Sequence, residues 1–318
     1  MRGIGATGLT VGILLGWSGQ ASAQIWTPPS ESQRCPSKWG ANDERGSGNH
    51  MKPATVLRAL TLVKTGEVIE LAFPLRPDMP FPGGRMYNLT TKRSAVPAGP
   101  NRRGGNEEMV TGEMGQVGTQ FDGFSHQTID DKVYNCRTVD SIATRNGFTA
   151  FGIEKVGTLI TRGVLIDVAA LKGVPVLPDS YEITVDDLQQ ALKRKNLTLQ
   201  PGDAPIIHTG WGINWTKDPA KYVRVNPGLG TAAAEWLVKQ DPMMVGMDVA
   251  PISVTPSPDG KLNNPAHQIF LAVNGIHLLE NLKLDQLLAS GAGEFALVLQ
   301  PVKMTGATGS TVAPVAIR

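Results

Sequence analysis

The sequence predicts a single α/β domain built on a mixed β-sheet flanked by helices. Three observations carry this. Short apolar runs rich in β-branched residues are interspersed with amphipathic stretches, without the strict alternation of a doubly wound sheet. Gly (36) and Pro (23) are abundant but follow no period, so the chain is divided into many short elements rather than repeats. With 318 residues, 41% of them hydrophobic and 18% charged, the chain is long and apolar enough to close a large core.

The first 23 residues read as an export leader. Arg2 supplies a positive start, residues 9–17 an apolar centre, and Ala21-Ser22-Ala23 a small-x-small cleavage site before Gln24. The competing reading of this run is a buried N-terminal strand. No later run is long and apolar enough to span a bilayer. The expectation is a periplasmic or secreted protein with no membrane contact after cleavage. Removing Arg2 from the 30 basic residues leaves 29 against 28 acidic ones, so no charge excess argues for nucleic acid or an anionic membrane. The two cysteines, Cys35 and Cys136, both lie in the mature part, and export permits a disulfide between them. Their spacing leaves a bridge and two free thiols equally open.

Residues 24–64 form an N-terminal arm and helix, and residues 65–318 the main domain. The arm is polar and rich in turn formers as far as residue 50. Leu57, Leu60 and Val63 then give residues 53–65 an apolar helical stripe, ended by Gly66. VIELAF (residues 68–73) reads as a strand stopped by Pro74, and residues 76–85 as a stiff loop. A helical stretch follows near residues 137–146 and a strand over residues 162–168. Thr184 is placed to cap the next helix, with Asp186 and Asp187 in its first turn and Lys193, Arg194 and Lys195 at its end, as the helix dipole favours. Pro201-Gly202-Asp203 turns into a strand at 204–210. A helix over 231–239 and a strand over 243–249 come next. Asn264-Pro265 starts a further helix, which ends at Asn274-Gly275. Strands over 276–281 and 294–301 precede a tail read as a loop and a short final strand.

The stretch QVGTQFDGFSH (residues 116–126) stands out. Read as an extended strand, it places Gln116, Gly118, Gln120 and Asp122 on one face and Val117, Thr119 and Phe121 on the other. A buried strand has no need of such a polar stripe. The chain holds five histidines: His50, His126, His208, His267 and His277. His126 lies four residues beyond Asp122. His267 sits near a helix start, and Glu280 follows 13 positions later in a strand, so a helix–turn–strand unit is able to bring the two together. Singly, each has a plain structural reading: Asp122 as a turn former, Glu280 as a salt-bridged carboxylate, His267 as a structural helix residue. No G-x-G-x-x-G after a strand, no P-loop and no G-x-S-x-G elbow is present, so nucleotide cofactors and serine-hydrolase chemistry find no support.

The same stretch resembles the H-x-G-T-H-x-D-x-P-x-H signature of the cyclase family of metal-dependent hydrolases, which includes bacterial kynurenine formamidase and isatin hydrolase. The resemblance extends in order from about residue 65 to the end. It takes in VIELAFPLRPDMP (68–80), RGVLID (162–167), PGDAPIIHTGW (201–211), GMDVAPIS (246–253), HQIFLAVNGIHLLENL (267–282) and GATGSTV (306–312). It implies a swivelling β/β/α fold, a homo-oligomer and a divalent metal. By position it implies Asp122, His267 and Glu280 as metal ligands and His126 as the proton carrier. Gln116 and Gln120 stand where the family usually has histidines, and Phe124 where it has proline. A glutamine carbonyl is a weaker ligand than imidazole. The expectation is therefore one metal per chain, Mn²⁺, Zn²⁺ or Fe²⁺, with Gln116 and Gln120 as weak ligands or substrate contacts. The reaction implied is hydrolysis of an amide, formamide or lactone. Phe73, Phe81, Phe124, His208 and Trp211 are the candidates for the wall of a pocket for a small, possibly aromatic substrate, although aromatic residues serve equally as core. Two other readings remain open: a non-catalytic small-molecule-binding protein on the same scaffold, and a metal-dependent lyase or dehydratase.

Overall fold

The computed structural model describes residues 1, 3, 25–258 and 260–318. The stretch expected to be an export leader thus lies, but for Met1 and Gly3, outside the described residues. In chain order the strands used below are β1 (Val68–Glu70), β2 (Tyr87–Ala98), β3 (Arg103–Gly112), β4 (Gln120–Asp122), β5 (Leu159–Asp167), β6 (Ala204–His208), β7 (Met244–Met247), β8 (His277–Glu280), β9 (Glu294–Leu299), β10 (Gly309–Thr311) and β11 (Val315–Ile317). The helices that matter here are α1 (Pro53–Leu60), α2 (Val185–Arg194), α3 (Thr231–Lys239) and α4 (Pro265–His267).

Nine of the strands make one mixed sheet in the order β1-β11-β9-β5-β6-β7-β8-β4-β10. The four central strands, β5, β6, β7 and β8, are parallel. Antiparallel strands close both sides. Parallel strands are covered on both faces, and these read as nearly continuous apolar runs for that reason. Alternate residues feed two cores. Val164, Ile166, Ile207, Val245, Met247 and Leu278 face one core, together with Leu188 and Leu192 of α2 and Leu237 of α3. Leu165, Ile206, Met244 and Leu279 face the other, with Phe121, Phe295 and Leu287.

The expected capping of α2 is present. Asp187 N–H donates to Thr184 Oγ1 at 3.2 Å, and Asp187 Oδ2 accepts from the Thr184 N–H at 2.9 Å. Pro265 opens α4 as its first residue, after Asn264. The chain then continues as a π-helical turn, Gln268–Val273, before Asn274. Cys35 and Cys136 are joined in a disulfide that ties the N-terminal arm to the domain.

Three expectations are corrected, and one element is new. The helical stripe of residues 53–65 does not face the core: α1 ends at Leu60, with Leu57 and Leu60 exposed, and buries Ala59 instead. The stretch near 137–146 holds only a four-residue helix, Val139–Ile142, followed by a small hairpin. Residues 116–122 are not one strand, because Gly118 takes a positive φ of 69° and β4 begins only at Gln120. Finally, β2 and β3 form a long hairpin that the sequence reading did not resolve. Apart from Tyr87 at its base, no residue of this hairpin is buried. Its two faces see much the same environment, so selection leaves no alternation of apolar and polar residues to read.

Candidate metal centre

The site is assembled at one edge of the sheet. β8 pairs antiparallel with β4, with Glu280 opposite Gln120 and Leu278 opposite Asp122. Residues directly opposite point to the same face, and so do residues two apart. Gln120, Asp122 and Glu280 therefore project together. On β4's other side β10 sets Gly309 opposite Asp122. A side chain at Gly309 has no room, since a Cβ there would lie 2.7 Å from Gln116 Nε2 and 2.9 Å from the Phe121 carbonyl. Gln116 is packed into that gap. His267 ends α4, and the helix–turn–strand unit brings it back to Glu280 as the sequence spacing allows.

His267 Nε2 lies 3.3 Å from Glu280 Oε1 and 3.6 Å from Asp122 Oδ2. Ligand atoms of Asp122, His126 and His267 all fall within 4.8 Å of one another. Asp122, His267 and Glu280 are buried, with 0%, 4% and 2% of their surface exposed. Glu280 Oε1 also accepts the Ile252 N–H at 3.0 Å. Asp122 Oδ2 has no hydrogen-bond partner.

This donor set fits a divalent cation. Two buried carboxylates share a single imidazole, and burying uncompensated charge costs several kcal/mol per ion. An orphaned carboxylate oxygen beside an imidazole nitrogen that also faces a second carboxylate is an arrangement a cation resolves. One imidazole and two carboxylates suit Mn²⁺, Zn²⁺ or Fe²⁺. The protonation behaviour shows the same strain. Burial and the Glu280 charge push the Asp122 carboxyl well above its ordinary range. Burial lowers His267, but the charge and hydrogen bond of Glu280, with Asp122, outweigh it and hold the ring above its usual value.

The two glutamines lie against the carboxylates. Gln120 Nε2 lies 3.0 Å from Glu280 Oε2, 3.2 Å from Gln116 Oε1 and 3.5 Å from Asp122 Oδ1. The amide has two hydrogens to share among these acceptors. Its nitrogen thus donates between the outer oxygens of both carboxylates, while its own carbonyl Oε1 is buried without a hydrogen-bond partner. The inner oxygens, Asp122 Oδ2 and Glu280 Oε1, stay turned toward His267.

His126 sits in the turn after β4, its backbone N–H donating to the Gly123 carbonyl at 3.2 Å. Its ring centroid is 6.0 Å from that of His267. Burial, then the nearby His267 and Arg85 charges, lower its pKa to about 3, so the ring is neutral. Arg85 was not foreseen. The pairing of Tyr87 with Gly112 closes the β2–β3 hairpin and returns the chain to the site. Arg85 Nη1 then donates to the Gln116 carbonyl at 3.3 Å. Only the folded hairpin joins these two positions, 31 residues apart, so no local motif announces the contact.

The predicted pocket residues separate into two groups. Phe73 and His208 line the same cavity, of about 540 Å³, beyond the carboxyl ends of the parallel strands. Phe124 and Trp211 are core residues, each 1% exposed, and neither lines it. Phe124 stacks on His277, with ring centroids 4.2 Å apart. Phe81 packs half-buried against the same core. Of the other histidines, His50 pairs with Asp241 at 3.1 Å, away from the site.

Sheet and site together define an α/β protein of cyclase type, with a buried carboxylate–imidazole centre at the sheet edge. The chain belongs to the family described as putative cyclase, which matches residues 69–253 and so more than half of it. That match includes the stretch with Gln116, Gln120, Asp122 and His126 and ends before His267. A solved structure described as a novel cyclase shares 29% identity and a TM-score of 0.81, over 88% of this chain and 96% of its own. Isatin hydrolase A from Ralstonia solanacearum has the same fold, at 24% identity and a TM-score of 0.58, over 84% of this chain and 98% of its own. An isatin hydrolase bound to the product analogue thioisatinate shares it too, at 19% identity and a TM-score of 0.55, with the same coverage. A search of curated proteins found no match.

Proposed function

We propose that this protein is an exported, metal-dependent hydrolase of small non-peptide amides, formamides or lactones. The observation that carries the reading is the buried set of Asp122, His267 and Glu280 beside a neutral His126. Asp122 Oδ2, His267 Nε2 and Glu280 Oε1 are the atoms that would hold the cation. When bound, the ion supplies Lewis acidity, polarising a carbonyl and making water a better nucleophile. The remaining work falls to the chain. The Ile252 N–H and the Gln120 amide fix the Glu280 carboxylate, so its inner oxygen keeps its aim. His126 takes the proton from the attacking water and returns it to the leaving nitrogen or oxygen. The buried setting excludes bulk water. Gln120, as a donor between the carboxylates, favours one ion per chain over two. The product analogue thioisatinate, bound in one structural neighbour, supports a small-molecule substrate and gives the screen a starting point.

The test is elemental analysis of the purified protein followed by a screen of amides, formamides and lactones. One equivalent of Mn, Zn or Fe with turnover is expected. Two equivalents would reject the role given to Gln120. Metal with ligand affinity but no product at any pH would favour the non-catalytic binder, which the hydrogen-bonded glutamine pair also accommodates. Elimination of water from a hydroxylated substrate, in place of hydrolysis, would favour the lyase.

Two further parts of the proposal concern setting. Export to an oxidising compartment is supported by the Cys35–Cys136 bridge. Free thiols in protein isolated from its native compartment would reject it. A homo-oligomer is supported by the β2–β3 hairpin, which exposes Leu89, Val96, Met109 and Val110. A lone two-stranded ribbon is marginal in water, and a second copy would cover it. Light scattering on the chain, and on a variant with residues 89–110 replaced by a tight turn, should give an oligomer and a monomer. A monomer in both would remove this part.

A further inference from the structure

Away from the metal centre, the cavity of about 540 Å³ has its own polar interior. It lies where β5, β6 and β7 end side by side. Such carboxyl ends of parallel strands leave a crevice. Asp167 closes β5 and is the register partner of His208, which closes β6. Asp248 follows the last residue of β7. His208 Nδ1 bonds Asp167 Oδ1 at 2.8 Å. Asp248 Oδ1 is held by the backbone N–H and hydroxyl of Thr209, at 2.9 and 2.7 Å.

The remaining atoms do not meet. His208 Nε2 and Asp248 Oδ2 are 3.9 Å apart, beyond hydrogen-bond reach. The one other contact to Asp248 Oδ2 is a long one, 3.5 Å from the Gly212 N–H. A nitrogen and a carboxylate oxygen thus stand together with unmet hydrogen-bonding capacity. Burial lowers His208, but its hydrogen bond to Asp167 and the two carboxylate charges outweigh it and hold the ring above its ordinary value; with Nδ1 on the Asp167 carboxylate, the protonated ring would present its Nε2–H to the cavity. An oxygen between the two would accept from Nε2 and donate to Oδ2. The rest of the wall is apolar, formed by Phe73, Val176, Trp215, Leu282 and Leu288. Phe73 and Trp215 are stacked at 4.6 Å and give it a rigid side.

Charge excludes some occupants. The rim cations are already paired, Arg76 with Asp78 at 2.7 Å and Lys283 with Asp285 at 2.8 Å. Asp248 lines the cavity and Asp167 stands behind His208, so the charge around this nitrogen–oxygen pair is negative on balance, which disfavours an anion. A cationic ammonium has no lone pair to accept from Nε2.

We propose that this cavity is a second small-molecule site, selective for an uncharged, largely apolar molecule with one hydroxyl group, of which a fused-ring phenol is the simplest type. It is distinct from the metal centre. Buried Tyr222 links the two, its hydroxyl donating to Asn281 Oδ1 at 2.7 Å and lying 3.2 Å from the Asp248 carbonyl. Asn281 directly follows Glu280.

The test is calorimetric titration of the purified protein with 2-naphthol, 2-methoxynaphthalene and 2-naphthoate. The ether lacks the donor and the carboxylate adds a negative charge. One 2-naphthol per chain is expected, with each of the other two at least roughly tenfold weaker, the cost of one unmade buried hydrogen bond. Val176→Trp, or Leu288→Trp if the first fails to fold, should fill the cavity and abolish binding. Asp122→Ala should leave binding unchanged, which separates this site from the metal centre whether or not the chain is a hydrolase. Absent binding, equal affinity for the three probes, survival of binding in a folded Trp variant, or its loss in Asp122→Ala would each overturn the proposal.

Discussion

Two buried carboxylates in this molecule differ in one respect. Asp203 and Asp122 are both fully enclosed, at 0% exposed. Asp203 is surrounded by partners: Arg162 Nη1 at 2.6 Å, Arg58 Nη2 at 2.8 Å and the Gln200 N–H at 2.8 Å. Arg162 is itself anchored by Glu294 at 2.6 Å and by the Thr198 carbonyl. Here the protein supplies its own cations. Around Asp122 no arginine or lysine is in contact, and the ring nitrogen His267 Nε2 stands 3.6 Å from Oδ2. One oxygen is unpartnered, and the neighbours are another carboxylate, two histidines and an amide. A buried ion pair completed by hydrogen bonds holds a structure in one arrangement. A buried carboxylate left incomplete holds a vacancy in the charge balance, and that is what a cation site requires.

The widest separation between the two clusters should appear in activity. Asp122→Asn should abolish hydrolysis and metal retention while leaving the melting temperature of the metal-free protein unchanged or raised, since a buried charge is removed. His126→Ala should cut kcat by about 10²–10⁴, the range for a positioned acid–base group, and should leave metal content unaltered. Kinetics and elemental analysis on the same preparations check both. A large drop in the melting temperature of metal-free Asp122→Asn would place Asp122 in the class of Asp203. Arg162→Met should do the opposite. Leaving Asp203 short of a cation should cost about 3–5 kcal/mol in denaturant unfolding. Whatever folds should still bind metal with one equivalent.

These two clusters were not equally legible in the sequence. Singly, Asp122, His126, His267 and Glu280 each have a plain structural reading; the resemblance to the family signature is what marks them as a set, and the fold brings them together. The central strands were legible as well, since burial on both faces leaves continuous apolar runs. Other features left no such trace. Arg162 and Asp203 looked like strand and turn residues, because an ion pair formed across parallel strands has no local pattern. Arg85 reaches the site only through the hairpin. Gly118 disguised a bend as a strand, since a glycine fits a period-two pattern and a positive φ alike. Phe124 and Trp211 show the limit for aromatic residues: hydrophobicity places them inside but does not say whether a cavity adjoins them.

The rim of the structural cluster gives a smaller effect. Glu294 is the half-exposed end of the network, with its side chain 34% exposed. Screening by solvent should hold Glu294→Gln to at most about 1 kcal/mol. A loss as large as that of Arg162→Met would mean that the network is one unit and not a buried pair with a solvated end.

The smallest effect concerns Asp187, a third enclosed carboxylate whose cation is partly in water. It forms an ion pair with Lys172, whose side chain is 37% exposed. Burial raises Asp187, but the Lys172 ammonium and the Thr184 N–H and hydroxyl outweigh it and hold the carboxyl below its ordinary range. Its folded pKa is thus lower than its unfolded one. The stabilisation is fully present above the unfolded value, about pH 4, and is lost as the pH falls through the folded value. Lys172→Met removes the cation. The melting temperature should then drop by a few degrees at most near neutral pH, and the gap between the two proteins should close on acidification, as Asp187 is protonated in both. A gap that persists undiminished into acid would show that Lys172 acts through its aliphatic stem on Tyr181, which its ammonium overlies at 5.6 Å, and not through the carboxylate.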